Sequence, residues 1–168
     1  TRLAAAFSAF PDDHDTLRGE GLGYYRYALT DAGRATPAAV RDLPAEALIA
    51  DGLAMTFHFH AAMRVEAEQY GDAILTPHPE RLIRAGALPT VSGIPGLEPR
   101  GAIWSEIEID GTGVNVMNTH LGLVPREQRL QAAALAGSGW VGGCEGPILL
   151  AGDFNATSIT RPYQTLCR

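Results

Sequence analysis

Apolar and polar positions alternate with a period of two in several stretches of this chain. Met55 to Phe59 reads as a strand, and Ala73-Ile74-Leu75, within Asp72 to Thr76, is a short apolar run that stops at the turn Pro77-His78-Pro79. Ala102-Ile103-Trp104 continues into alternation through Ile107 and Ile109, and Val114 to His120 alternates again beyond Asp110-Gly111. Asp-Gly between two alternating runs is the strongest short-range sign of a hairpin, because both central positions of its turn need positive φ. Residues 101–109 and 114–120 are therefore expected to pair antiparallel, with His120 at the end of the second strand. Pro147 to Ala151 reads as a buried strand.

Other segments follow helical spacing. Val40, Leu43, Ala47, Leu48 and Ala50 predict a helix from Pro37 to about Gly52, and Pro125 opens another through Leu135. Thr157 or Ser158 is the expected cap of a last helix holding Tyr163 and Leu166. Residues 1–36 suggest a short helix near Leu3 to Phe10 and then loop, since Pro11 and Gly19, Gly21, Gly23 and Gly33 break every period. The prolines and glycines of 89–100 mark a surface loop.

Composition narrows the function classes. With 168 residues, 46% of them hydrophobic, the chain has material for one domain with a core. Thirteen basic residues against 19 acidic ones give a net charge of −6, so long-range attraction to nucleic acid or an anionic membrane is not favoured. All 13 basic residues are arginines, which excludes a phosphate-loop lysine, a kinase lysine and a Schiff-base lysine. Cys144 and Cys167 are expected to be buried free thiols. No apolar run reaches the ~20 residues of a membrane span; the sequence leaves the compartment open, with the cytoplasm favoured.

Candidate chemistry concentrates in Ile148-Leu149-Leu150-Ala151-Gly152-Asp153-Phe154-Asn155-Ala156. An apolar strand there delivers a carboxylate and a carboxamide two residues apart, on one face if the chain stays extended. A carboxylate can hold a hard cation or activate water, and an amide can orient a phosphoryl oxygen without adding negative charge. Asn118-Thr119-His120-Leu121 ends the neighbouring strand with an imidazole at a similar edge. His58 and His60, at i and i+2, lack an accompanying carboxylate or thiol at ligand spacing and read as scaffold.

Gly152-Asp153-Phe154-Asn155-Ala156 and Asn118-Thr119-His120-Leu121 resemble two motifs of the endonuclease/exonuclease/phosphatase superfamily, and they come in the same order. Tyr70-Gly71-Asp72-Ala73-Ile74-Leu75, Pro99-Arg100-Gly101-Ala102, Arg129-Leu130-Gln131 and Pro162-Tyr163 fit the same family. The similarity is clearest over residues 47–168 of a single domain, 1–168. It implies an α/β fold, part of a four-layered sandwich of two mostly antiparallel sheets flanked by helices. It also implies a metal-dependent hydrolase of phosphate esters, using Mg2+ or Mn2+, with a general phosphodiesterase ranked ahead of a nuclease.

By the same resemblance Asp153 orients or deprotonates the attacking water, Asn155 contacts the scissile phosphate, and both belong to the metal region. His120 would hydrogen-bond a phosphoryl oxygen, while Arg100 and Asn118 would bind substrate. Asp72 departs from the family's asparagine, and an acid there repels phosphate unless it is protonated or metal-bound. The family's Gln-Glu and Ser-Asp-His motifs are missing from the sequence. A fragment of a longer enzyme is the leading expectation, a catalytically incomplete binding or assembly module is the alternative, and a homodimer is expected to cover open sheet edges.

Overall fold

The computed structural model describes residues 49–50, 52–66 and 68–167. The helix expected over Pro37 to Gly52 lies mostly outside them, as do the elements expected over 1–36. Residues 49, 50, 52 and 53 are helical.

Six strands and two α-helices follow in the described residues: β1 Thr56–Val65, β2 Glu68–Thr76, β3 Glu80–Ala87, β4 Gly101–Ile109, β5 Thr112–His120, α1 Pro125–Ala136, β6 Ile148–Asp153 and α2 Arg161–Leu166. β1 and β2 make a two-stranded sheet, and β3-β4-β5-β6 make a four-stranded one. The β4–β5 hairpin has the expected register, Ile109 opposite Thr112 and Ala102 opposite Thr119. Asp110 and Gly111 both have positive φ, 51° and 77°, as a type I′ turn demands.

Alternation along these strands sorts side chains onto two faces. Ala102 and Met117 join Leu88, Leu121, Leu135 and Trp140 in one buried cluster, with Trp104, Leu150, Phe154 and Leu166 packed on it. That is the face covered by α1 and α2. Ile103, Ile107 and Val116 point the other way and bury against Ile74 of β2. A sheet buried on one side by helices and on the other by a strand of the second sheet is the α/β sandwich expected from the sequence.

β3 was not anticipated. Its sequence, Glu80 to Ala87, lacks strict alternation because the pairing with β4 slips between Leu82 and Arg84. A bulge puts successive residues out of step, so a period of two disappears from the sequence while the strand persists. β6 also corrects an expectation, since it lies at one end of the strand order and Ile148 and Leu149 are 42% and 47% exposed rather than buried. α2 begins two or three residues later than expected, with Thr160 preceding it, and the Thr160 hydroxyl donates to the Thr157 carbonyl at 2.7 Å. Cys144 and Cys167 are free thiols as expected, but Cys144 is partly buried and Cys167 exposed.

Candidate active site

β5 and β6 are the one parallel pair in the four-stranded sheet, and their register sets Asn118 against Ala151, Thr119 against Gly152 and His120 against Asp153. The two motifs read from the sequence thus end side by side, at the same edge and pointing in the same direction. Gly152 permits this closeness: a Cβ there would run into the Thr119 carbonyl oxygen, and its φ of 136° is one that L side chains rarely adopt. The chain continues from β5 by a hydrogen bond from the Leu121 amide to the Asp153 carbonyl at 2.9 Å.

Beyond the strand end the chain folds back on itself. The Asp153 Oδ1 atom accepts from the Asn155 amide at 2.9 Å, a turn closed by the carboxylate, and Asn155 takes a φ of 47°. Its Nδ2 atom donates to the Leu121 carbonyl at 2.8 Å and lies 3.1 Å from His120 Nε2. Asp153 Oδ2 is 3.6 Å from the same ring nitrogen, and the Asp153 side chain is 64% exposed. An open carboxylate, a carboxamide and an imidazole therefore share one small surface.

His120 also lines a cleft of about 270 Å³, together with Tyr70, Asp72, Glu98 and Arg100. Arg100, with only 11% of its side chain exposed, pairs with Glu98 at 2.8 Å and sets Nη1 3.2 Å from His120 Nδ1. Asp72 is 5% exposed. Burial lifts its carboxyl from the ordinary 3.8 to about 7, against the opposing pull of the Arg100 guanidinium. Asp72 therefore holds its proton to a much higher pH than an ordinary carboxyl, which lowers the negative charge in the cleft.

Of the residues singled out in the sequence, His120, Asp153, Asn155 and Arg100 come together. Asn118 takes a different place: its Nδ2 donates to the Ala73 carbonyl at 2.9 Å, tying β5 to β2. His58 pairs with Glu80 at 2.7 Å, and the His60 ring packs against Gly101. Among the described residues no group of three or more His, Cys, Asp or Glu side chains is placed to hold a metal.

Three supporting residues were not singled out for this work. Gln128 of α1 donates to the Asn155 carbonyl at 2.7 Å, Gln131 accepts from the Gly122 amide at 2.8 Å, and Glu127 accepts from the Thr90 hydroxyl at 2.9 Å. All three are buried with Ala132 and Leu135 on the inner face of α1. The available signal was polar residues occupying the helix stripe that its apolar members define, since a buried polar side chain is retained where it has hydrogen-bond partners.

No protein-family model matches the chain, and no curated protein matches it. Solved structures do. An endonuclease/exonuclease/phosphatase family protein from Bacteroides thetaiotaomicron is 14% identical with a TM-score of 0.57, over 92% of this chain and 62% of that one. A mannosyl-6-phosphatase from the same organism is 16% identical with a TM-score of 0.57, over 92% and 65%. The human Nocturnin catalytic domain with bound sulfate is 16% identical with a TM-score of 0.54, over 84% and 60%. The chain spans about three fifths of the length of each of these structures, and its fold is that of endonuclease/exonuclease/phosphatase proteins.

Proposed function

We propose that this chain carries part of the active site of a metal-dependent phosphodiesterase that acts by in-line attack of water. The observation that carries the reading is the register of His120 against Asp153 at the ends of adjacent parallel strands, with Asn155 turned back onto the same imidazole. Phosphoryl transfer spreads negative charge over nonbridging oxygens, so fixed donors there stabilise the transition state more than the ground state. His120 and Asn155 supply such donors, and the exposed Asp153 carboxylate orients or deprotonates the attacking water.

The donor set suits a hard cation in chemistry but is short in number. Asp153 offers a carboxylate oxygen and Asn155 a carboxamide oxygen, and magnesium typically takes one or two carboxylates while keeping water and phosphate as its other ligands. When bound, such an ion neutralises charge on the phosphoryl oxygens. Titration of the chain with magnesium and manganese at millimolar levels, followed by hydrolysis of bis(p-nitrophenyl) phosphate, tests the reading. Metal-dependent turnover above the buffer rate supports it; neither binding nor turnover sinks it for this chain.

The second reading is a binding or assembly module on the same scaffold. It is favoured by the lack, among the described residues, of a metal-holding group of three or more acidic, histidine or cysteine side chains. Binding of a phosphate ester without any turnover, in the presence of either metal, decides for it.

A further inference from the structure

We infer that Arg100 is a positioning residue, whose guanidinium holds His120 in the tautomer that keeps Nδ1 unprotonated and carries the ring hydrogen on Nε2. The inference rests on the reading of His120 as a hydrogen-bond donor to substrate and says how that donor is aimed.

A neutral imidazole has one N–H and one lone pair. Both ring nitrogens of His120 nonetheless face a nitrogen that carries hydrogens: Arg100 Nη1 lies 3.2 Å from Nδ1, and Asn155 Nδ2 lies 3.1 Å from Nε2. Only one of the two can donate to the ring. The Asn155 amide is not free to reverse, because its Nδ2 already donates to the Leu121 carbonyl at 2.8 Å, and reversing it would set two oxygens against each other. A guanidinium has no lone pair and stays charged, so a hydrogen on Nδ1 would confront it donor to donor. Hydrogen bonds from a charged donor are also roughly twice as strong as neutral ones. Nδ1 is therefore the acceptor, and Nε2 carries the hydrogen.

The guanidinium is itself held in place. Glu98 grips its Nη2 at 2.8 Å, the side chain is 11% exposed, and the Arg100 carbonyl accepts from the Leu88 amide at 2.7 Å. With one amino group on Glu98 and the other on His120, both terminal nitrogens of Arg100 are engaged. Nε2 also stands 3.6 Å from Asp153 Oδ2, and with its hydrogen in place Asn155 Nδ2 is left to donate to the Leu121 carbonyl. In this tautomer Nε2 can offer a hydrogen to a phosphoryl oxygen but has no lone pair with which to take a proton from water, which leaves the base role to Asp153.

The test is nitrogen NMR of the chain with 15N-labelled histidine at mildly alkaline pH, with the His120 signals assigned from a His120→Gln spectrum. The expected wild-type spectrum has Nδ1 in the unprotonated range and Nε2 in the protonated range. In Arg100→Met the two signals move toward each other as the second tautomer becomes populated, and in Arg100→Lys a smaller movement follows. Where metal-dependent turnover is measurable, Arg100→Met lowers kcat about tenfold or more with KM changed less than about twofold, the pattern of an interaction lost in the transition state. A wild-type spectrum with the hydrogen on Nδ1 overturns the inference, whether or not any variant folds. An unshifted tautomer in Arg100→Met, or a raised KM at unchanged kcat, overturns it in favour of a phosphate-binding arginine. A shifted tautomer in a chain without turnover keeps the inference and removes the phosphodiesterase reading.

Discussion

Gly152 and Thr119 face each other across the parallel pair so closely that no side chain fits between them, the Thr119 carbonyl occupying the place of the missing Cβ. The contact lies one residue before both His120 and Asp153, so it fixes how near the imidazole and the carboxylate can come. Gly152→Ala must either push β6 away from β5 or abandon its φ of 136°. The expected cost is about 3 kcal/mol or more, the scale of a backbone clash combined with a strained φ. The shift of the urea midpoint measures it, and a midpoint within experimental error of wild type contradicts the packing.

Asp153→Asn keeps the shape of a side chain that is 64% exposed, so stability should change by no more than about 0.5 kcal/mol. Turnover of a phosphodiester should nonetheless fall by about 10²-fold or more if the carboxylate handles the attacking water. A variant that melts earlier and turns over normally would assign Asp153 to the scaffold.

Asp72 gives the protein a pH dependence with a defined sign. Its carboxyl titrates near 7 in the folded chain and near its ordinary 3.8 when unfolded. Below both values the group is protonated in either state and has no effect. Between roughly pH 4 and pH 7 the unfolded chain gives up the proton first, so stability falls as pH rises, and above the folded value the loss stays constant. Asp72→Asn removes that slope, making the variant more stable than wild type at pH 8 and closer to it at pH 4. Parallel denaturation curves for the two proteins across this range would contradict the burial of the acid.

Asn115 secures the start of β6. It is buried, accepts from the Trp104 indole at 3.0 Å, and donates to the Glu145 and Pro147 carbonyls at 2.8 and 3.3 Å. Asn115→Ala removes these three part-buried hydrogen bonds and should cost about 1–3 kcal/mol. Amide hydrogen exchange should then speed up at Ile148 to Leu150 while remaining slow in the β3–β4 pairing; uniform acceleration would mean that Asn115 supports the whole sheet.

Much of this arrangement was legible in the sequence where local physics dominates. The β4–β5 hairpin follows from Asp110-Gly111 and two alternating runs, and the helix from Pro125 follows from its proline and its spacing. The bulge in β3 erased the period that would have betrayed the strand. The exposure of Ile148 and Leu149 was hidden because an apolar run looks the same whether its strand is central or at an edge. Residue types at the site were readable, but partnerships were not. That Arg100 serves His120, that Asn118 serves Ala73 and that Gln128 serves Asn155 depend on contacts between positions 20, 45 and 27 residues apart.

Because β5 and β6 run the same way, the chain must travel back to the far end of the sheet between them, through α1 and the turn at Val141–Gly143. β6 re-enters beside Asn115, about 17 Å from Asp153 by strand rise, so the turn before it is remote from His120 and Asn155. Residues 141–144 are nonetheless tied down, since Val141 and Cys144 pack on the core cluster that holds Trp140, and the Gly143 and Cys144 amides donate to the Trp140 and Val141 carbonyls. A flexible insert after Gly142 should therefore cost stability by loosening that packing, yet leave the imidazole and carboxylate in register as long as Asn115 keeps its hold on Glu145 and Pro147.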